Sequence, residues 1–143
     1  MHRALNLSDA WYNRNTLGQG VIVTVYPGLN NVFASNFTFD TLRPPAEVEA
    51  IFGEPGHRWL TGFGPFAGSV ATLEVELTSG GVFNAPSPTP NQETDYGTWT
   101  LRFNDCNSLT LVYDFPELNI SGVMDLIRLA DDNVDLCLEL GFP

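Results

Sequence analysis

The chain has 143 residues, 43% of them hydrophobic and 12% aromatic, enough for one domain with its own core and too many for a disordered segment. Seventeen acidic residues against six basic ones, all arginine, give a formal charge of −11 and a pI near 4.2. A field of that sign repels phosphate backbones, which argues against nucleic acid and anionic membrane surfaces as partners, and no apolar run reaches the ~20 residues of a membrane-spanning helix.

Along the chain the apolar residues recur with period two, between breaks rich in Gly, Pro, Asn and Asp, and that pattern predicts strands. A first strand lies near 5–13. In the second, Val21, Val23 and Val25 alternate with Ile22, Thr24 and Tyr26. In the third, Phe33, Ser35, Phe37 and Phe39 alternate with Ala34, Asn36 and Thr38, and the ring-bearing face is expected to point inward. Pro44 to Gly53 reads as one short helix, with prolines at its start, acids in its first turn and a glycine stop. A fourth strand follows near 58–63. Leu73, Val75 and Leu77 against Thr72, Glu74, Glu76 and Thr78 make a fifth. Trp99, Leu101 and Phe103 mark the sixth, and Leu109, Leu111, Tyr113 and Phe115 the seventh. The last lies near 121–129, and the acidic tail Asp131 to Glu139 carries no firm helical signal.

Connection lengths then set the topology. The segments 27–30, 64–68 and 104–107 are tight, whereas 40–57 and 80–95 are long. In an up-and-down meander, odd-numbered and even-numbered connections lie at opposite ends, so the long ones gather at one end and the tight ones at the other. Closing eight strands removes the exposed edges, and a barrel of that size holds one small ligand at its mouth. The expected fold is all-β: a single domain over 1–143, an eight-stranded antiparallel up-and-down barrel of avidin or lipocalin type, with one short helix between strands three and four.

Parity also places the two cysteines. Cys106 lies in the tight turn after strand six, and Cys137 follows strand eight, which runs toward the same end. A Cys106–Cys137 disulfide is therefore expected, stabilising by ~3–4 kcal/mol in the chain-entropy treatment; two separate buried thiols are the alternative. Such a bond belongs to an oxidising compartment. No apolar leader follows Met1-His2-Arg3, so the chain reads as a secreted or periplasmic protein already processed, an intracellular protein being the alternative.

Several short runs carry a resemblance. Asp9-Ala10-Trp11-Tyr12-Asn13, Gly18-Gln19-Gly20, Trp59-Leu60-Thr61-Gly62, Gly97-Thr98-Trp99-Thr100-Leu101-Arg102-Phe103, Asp105-Cys106-Asn107-Ser108 and Ile127-Arg128-Leu129 occur in that order. This succession resembles an uncharacterised domain recurring in secreted bacterial proteins, with WYNP, GQG, W-x-x-G, G-x-x-x-L-x-F-x-DCN and L-x-R-L motifs. The resemblance spans nearly the whole chain and implies export and a shared fold, not an activity. Arg14 stands where that family usually has proline, and the connection 40–57 is longer than usual. Trp11-Tyr12-Asn13, Leu17-Gly18 and Ile22-Val23-Thr24-Val25 are also similar to the opening hairpin of avidin-type biotin binders. That second likeness implies a ligand-facing role for Asn13 and, ending after strand two, implies no biotin specificity.

With apolar faces inward, the mouth half receives Asn13, Phe37, Phe39, Trp59, Trp99, Tyr113 and Phe115, with Arg14, Gln19, Asp40, His57 and Tyr96 at the rim. Aromatic faces with few polar groups suit a small apolar or carbohydrate ligand; the alternative is that the rings fill the barrel. The expected ligand-binding residues are Asn13, Phe37, Phe39, His57, Trp59, Trp99 and Tyr113. His57 with Asp40 is the one plausible acid–base pair, which supplies a second reading: an enzyme working at the same mouth under residues 44–53. No GxSxG occurs, and Cys106 lies at the wrong end for a nucleophile there. Glu74 and Glu76 read as solvated sheet surface, facing Arg102, rather than a glycosidase pair. No metal or cofactor is expected: His2 and His57 are far apart, and Asp131, Asp132, Asp135 and Glu139 lack calcium-loop spacing. A chelate at His2 would require it to be the amino terminus. The expected function is a secreted, non-enzymatic binding module, with an enzyme second and an adhesion module with a packed barrel third.

Overall fold

The computed structural model describes residues 3–143. Strands β1 (Asp9–Tyr12), β2 (Gly20–Tyr26), β3 (Asn31–Phe39), β4 (His57–Ala67), β5 (Val70–Ser79), β6 (Asn91–Asp105), β7 (Ser108–Phe115) and β8 (Ile120–Arg128) follow one another in sequence. Each pairs antiparallel with the next, and β1 returns to β8 through Trp11 opposite Arg128 and Tyr12 opposite Ile127. The result is a closed up-and-down barrel, joined between β1 and β8 by this short pairing.

Period two decides what is buried. Val21, Val23 and Val25 of β2, Leu73 and Val75 of β5, Trp99, Leu101 and Phe103 of β6, and Leu109 and Leu111 of β7 form the core. Removing each such side chain from water contributes roughly 1.5–3 kcal/mol. Two turns of one pattern, an aromatic residue followed by Pro-x-Leu-Asn, sit at opposite ends of the barrel: Tyr26-Pro27-Gly28-Leu29-Asn30 and Phe115-Pro116-Glu117-Leu118-Asn119. In each, proline opens a single 3-10 turn and asparagine closes it in the left-handed region, φ 53 and 55, donating its N–H to the proline carbonyl at 3.1 Å. Proline fixes its own φ in advance, and asparagine tolerates the positive φ that most residues avoid.

One end is closed. A 3-10 helix (Arg3–Leu7) precedes β1 and an α-helix, α1 (Asp132–Leu140), follows β8. Ala4, Leu7, Cys106 and Cys137 join the core there, beneath the tight turns that follow β2, β4 and β6. The Cys106–Cys137 disulfide, with 5.7 Å between Cα atoms, fastens α1 to the β6–β7 turn as strand parity requires.

The helix expected over 44–53 does not form; that segment is turns and bends with irregular chain between them. Ile51 and Phe52 remain exposed, Phe52 meeting the exposed Phe83 ring at 5.0 Å rather than the core, and a short helix is not stable without a buried face. The helix is instead at the acidic tail. There Val134 packs on the core, Cys137 is tied down, and Asp132 and Asp135 stand in the first turn, where the helix dipole favours negative charge.

Candidate functional site

The interior of the mouth half is set by which faces of β3 and β4 turn inward. Val32, Ala34, Asn36 and Thr38 of β3 and Leu60, Gly62 and Gly64 of β4 occupy the inner positions. The large residues Phe33, Phe37 and Phe39, with Trp59 and Phe63, take the outer ones, reversing the expected inward face of β3. Phe37 is 41% and Trp59 52% exposed. Space explains the reversal. The Trp99 indole lies across β5 against β4, and a Cβ added at Gly62 would stand 2.7 Å from Trp99 Cε3. With the indole filling that side, only small residues fit opposite. Outside, the Phe37 ring covers Gly20, where an added Cβ would meet Phe37 Cζ at 2.9 Å.

Above this packed layer the barrel is hollow, in two lobes. The first, about 270 Å³, has walls of Leu60, Leu77, Tyr96, Trp99, Phe115, Ile120 and Met124 and opens at a rim formed by Phe39, Asp40 and Arg58. The second, about 350 Å³, lies beside the β1–β2 connection and is bordered by Asn13, Thr16 and Gln19. Asn36, Thr38, Tyr113 and Met124 line both.

The polar groups are few, and most are held by neighbours. Asn36, 5% exposed, donates from Nδ2 to the Gly20 carbonyl at 2.9 Å. Thr38 Oγ1 donates to Gln19 Oε1 at 2.6 Å, and Asn13 Nδ2 donates to the Asp125 carbonyl at 2.9 Å. At the rim, Arg58 Nη2 meets Asp40 Oδ2 at 3.0 Å, while its Nη1 donates to the Pro55 and His57 carbonyls at 2.7 Å.

Of the residues expected at the ligand, Asn13, Trp99 and Tyr113 line the cavity, and Phe39 reaches it at the rim. Phe115, Tyr96, Gln19 and Asp40 also border it. Phe37 and Trp59 lie on the outer face, and neither His57 nor Arg14 borders a lobe. The geometry does not assemble the acid–base pair. Asp40 is bound by Arg58, whereas the His57 imidazole has Glu54 at 3.6 Å from Nε2 and accepts the Glu54 N–H at Nδ1. Glu74 stands opposite Thr98 and Glu76 opposite Thr61, while Arg102 is in register with Val70, so Arg102 faces neither glutamate across its pair. Among the described residues no three His, Cys, Asp or Glu side chains group as metal ligands would, and His2 lies outside those residues. Among the described residues no helix is long and apolar enough to cross a membrane.

Sequence reasoning missed Asn36, Thr38, Arg58, Leu60, Leu77 and Met124. The signal was available in Gly62 and Gly64, two glycines at period two, because a residue without a side chain at alternate positions marks the crowded face of a small barrel. The runs that carry the family resemblance divide: Asn13, Gln19, Leu60 and Trp99 border the cavity, and the others serve packing. Trp11, Cys106, Asn107 and Arg128 meet at the closed end, and Gly62 and Gly97 lie under the rings of Trp99 and Phe115. Compared with known proteins, the chain matches no family model, no curated protein and no solved structure.

Proposed function

We propose that this protein is an exported, non-enzymatic binding module that takes a small apolar or carbohydrate ligand in the mouth of its barrel. The observation that carries this reading is the two-lobed cavity, walled by Trp99, Tyr113, Phe115 and aliphatic side chains and bearing only a few amide and hydroxyl groups. Rings offer their faces to apolar or C–H surfaces, and sparse polar groups fix orientation. Export is supported by the Cys106–Cys137 bond, which persists in oxidising compartments, and by the resemblance to a domain of secreted bacterial proteins. That resemblance implies no activity, so it bears on fold and export rather than on the ligand. An enzyme at the same mouth is the weaker reading, because His57 and Asp40 are engaged by different partners.

Thermal unfolding against a panel of mono- and disaccharides and small apolar compounds tests the proposal. A ligand that binds only the folded state raises Tm by mass action, and Leu77→Trp, which fills the first lobe, abolishes the rise. No shift across the panel, together with no co-purified ligand in native mass spectra, overturns the reading.

A further inference from the structure

The two lobes share a wall but differ in chemistry. The first is bounded by aliphatic and aromatic side chains, whereas the second is bordered by Asn13, Thr16 and Gln19. Asn36 and Tyr113 stand at the join. Asn36 is more than nine-tenths buried, and its Nδ2 is held by the Gly20 carbonyl. None of the side-chain hydrogen bonds among the described residues uses Asn36 Oδ1 or the Tyr113 hydroxyl. A ligand hydroxyl or amide within reach of either group would satisfy it, and an alkyl segment there would leave it without a partner, at a cost of about 1–3 kcal/mol for each one sealed from water.

Charge narrows the ligand further. Arg58 is the cation bordering the cavity, and Asp40 neutralises it at 3.0 Å. Asp125 borders the second lobe, but its backbone carbonyl accepts from Asn13, and its carboxylate accepts from Thr110 on the outer face. The cation at the rim is thus paired, the Asp125 carboxylate is charged but lies with Thr110 on the outer face, and the net charge of −11 repels anionic ligands.

We infer that the ligand is an uncharged amphiphile, its apolar body in the first lobe and its hydroxyl- or amide-bearing head in the second, with Asn36 and Tyr113 reading the join. This rests on the binding reading above and narrows it from two ligand classes to one molecule carrying both characters.

Isothermal titration of the whole chain with n-hexyl β-D-glucoside, glucose and n-hexane, each below any micelle or solubility threshold, separates the cases. The glycoside binds at least about ten-fold more tightly than either half-molecule. Tyr113→Phe weakens the glycoside about three-fold or more while leaving hexane unchanged. The side-chain amide signals of Asn36 and Gln19 shift with the glycoside and not with hexane. Equal affinity for glycoside and hexane, or glucose binding alone, overturns the inference and leaves the binding module standing. Failure of all three probes beside a positive compound in the wider panel does the same. Failure of the entire panel overturns both.

Discussion

Each end of the barrel holds an arginine–aspartate pair of nearly the same length, and the two pairs do different things. At the closed end, Arg128 Nη1 meets Asp9 Oδ2 at 2.9 Å, and the arginine side chain is 0% exposed. Its Nε donates to the Cys106 carbonyl at 2.6 Å and its Nη2 to the Asn6 carbonyl at 2.8 Å, while the guanidinium lies 4.7 Å from the centre of the Trp11 ring. At the mouth, Arg58 and Asp40 stand 3.0 Å apart but are 44% and 46% exposed. A buried cation has lost its hydration, and only a complete set of partners offsets that loss. An exposed one keeps its water, so its pair contributes little. Distance alone does not separate a structural ion pair from a peripheral one; burial and the number of partners do. The closed end has one defect of its own, the buried Asn6 Oδ1, which finds no hydrogen-bond partner.

The largest effect follows from breaking the buried pair. Arg128→Met leaves the Asp9 carboxylate without its cation and the Cys106 and Asn6 carbonyls without this donor, and is expected to destabilise by roughly 3–5 kcal/mol. A urea midpoint measured at unchanged slope reads it, and a shift of less than about 1 kcal/mol would deny the closed end its role as the anchor of the fold. Next comes the disulfide. Cys137→Ser opens a crosslink across 31 residues and is expected to cost ~3–4 kcal/mol. Because Arg128 bonds the Cys106 carbonyl, the double variant should cost less than the sum of the two single ones. Exact additivity would show that the network and the crosslink act separately.

Smaller again is Gly62→Ala, at the boundary between the packed and hollow halves. Its new methyl would press on the Trp99 ring, 2.7 Å from Cε3, and overpacking of this kind costs about 1–3 kcal/mol. Tryptophan fluorescence reports the displaced indole. A neutral result would mean that the indole can retreat into the first lobe, and ligand affinity would then fall instead of stability.

These three positions also show how much of the molecule could be read in advance. Strand number, closure and the Cys106–Cys137 bond follow from period two and from connection lengths, because both are set by local backbone chemistry and counting. The facing of β3 does not. Phe33, Phe37 and Phe39 are more apolar than Ala34, Asn36 and Thr38, and taken alone that strand should turn its rings inward. A barrel interior has fixed volume, however, and Trp99 of β6, three strands away, already occupies it. What decides the facing of β3 is a long-range competition for space, visible in the sequence only through the glycines of β4. The short helix failed for a related reason. Capping and composition over 44–53 were adequate, but a helix needs a surface to bury against, and the core offers one to α1 and none to that loop.

The smallest effect completes the comparison. Asp40→Asn removes the acceptor of the exposed pair at the rim while keeping its shape. Two half-exposed side chains gain little Coulomb energy in water and lose rotamer freedom in meeting, so the expected loss is about 0–1 kcal/mol. Arg58 would still donate to the Pro55 and His57 carbonyls, which removes any penalty for an unpaired group. Salt separates this from the buried pair. The Debye length of about 8 Å at physiological ionic strength exceeds the 3.0 Å separation, so the exposed attraction is only partly screened there, and most of it is lost at ~1 M, where that length falls to about 3 Å. Wild type and Asp40→Asn should therefore differ slightly in dilute buffer and unfold together in concentrated salt, whereas the deficit of Arg128→Met persists in both. An Asp40→Asn deficit that survived high salt would make the rim pair as structural as the buried one, and the mouth could no longer be treated as the end of the barrel left free for a ligand.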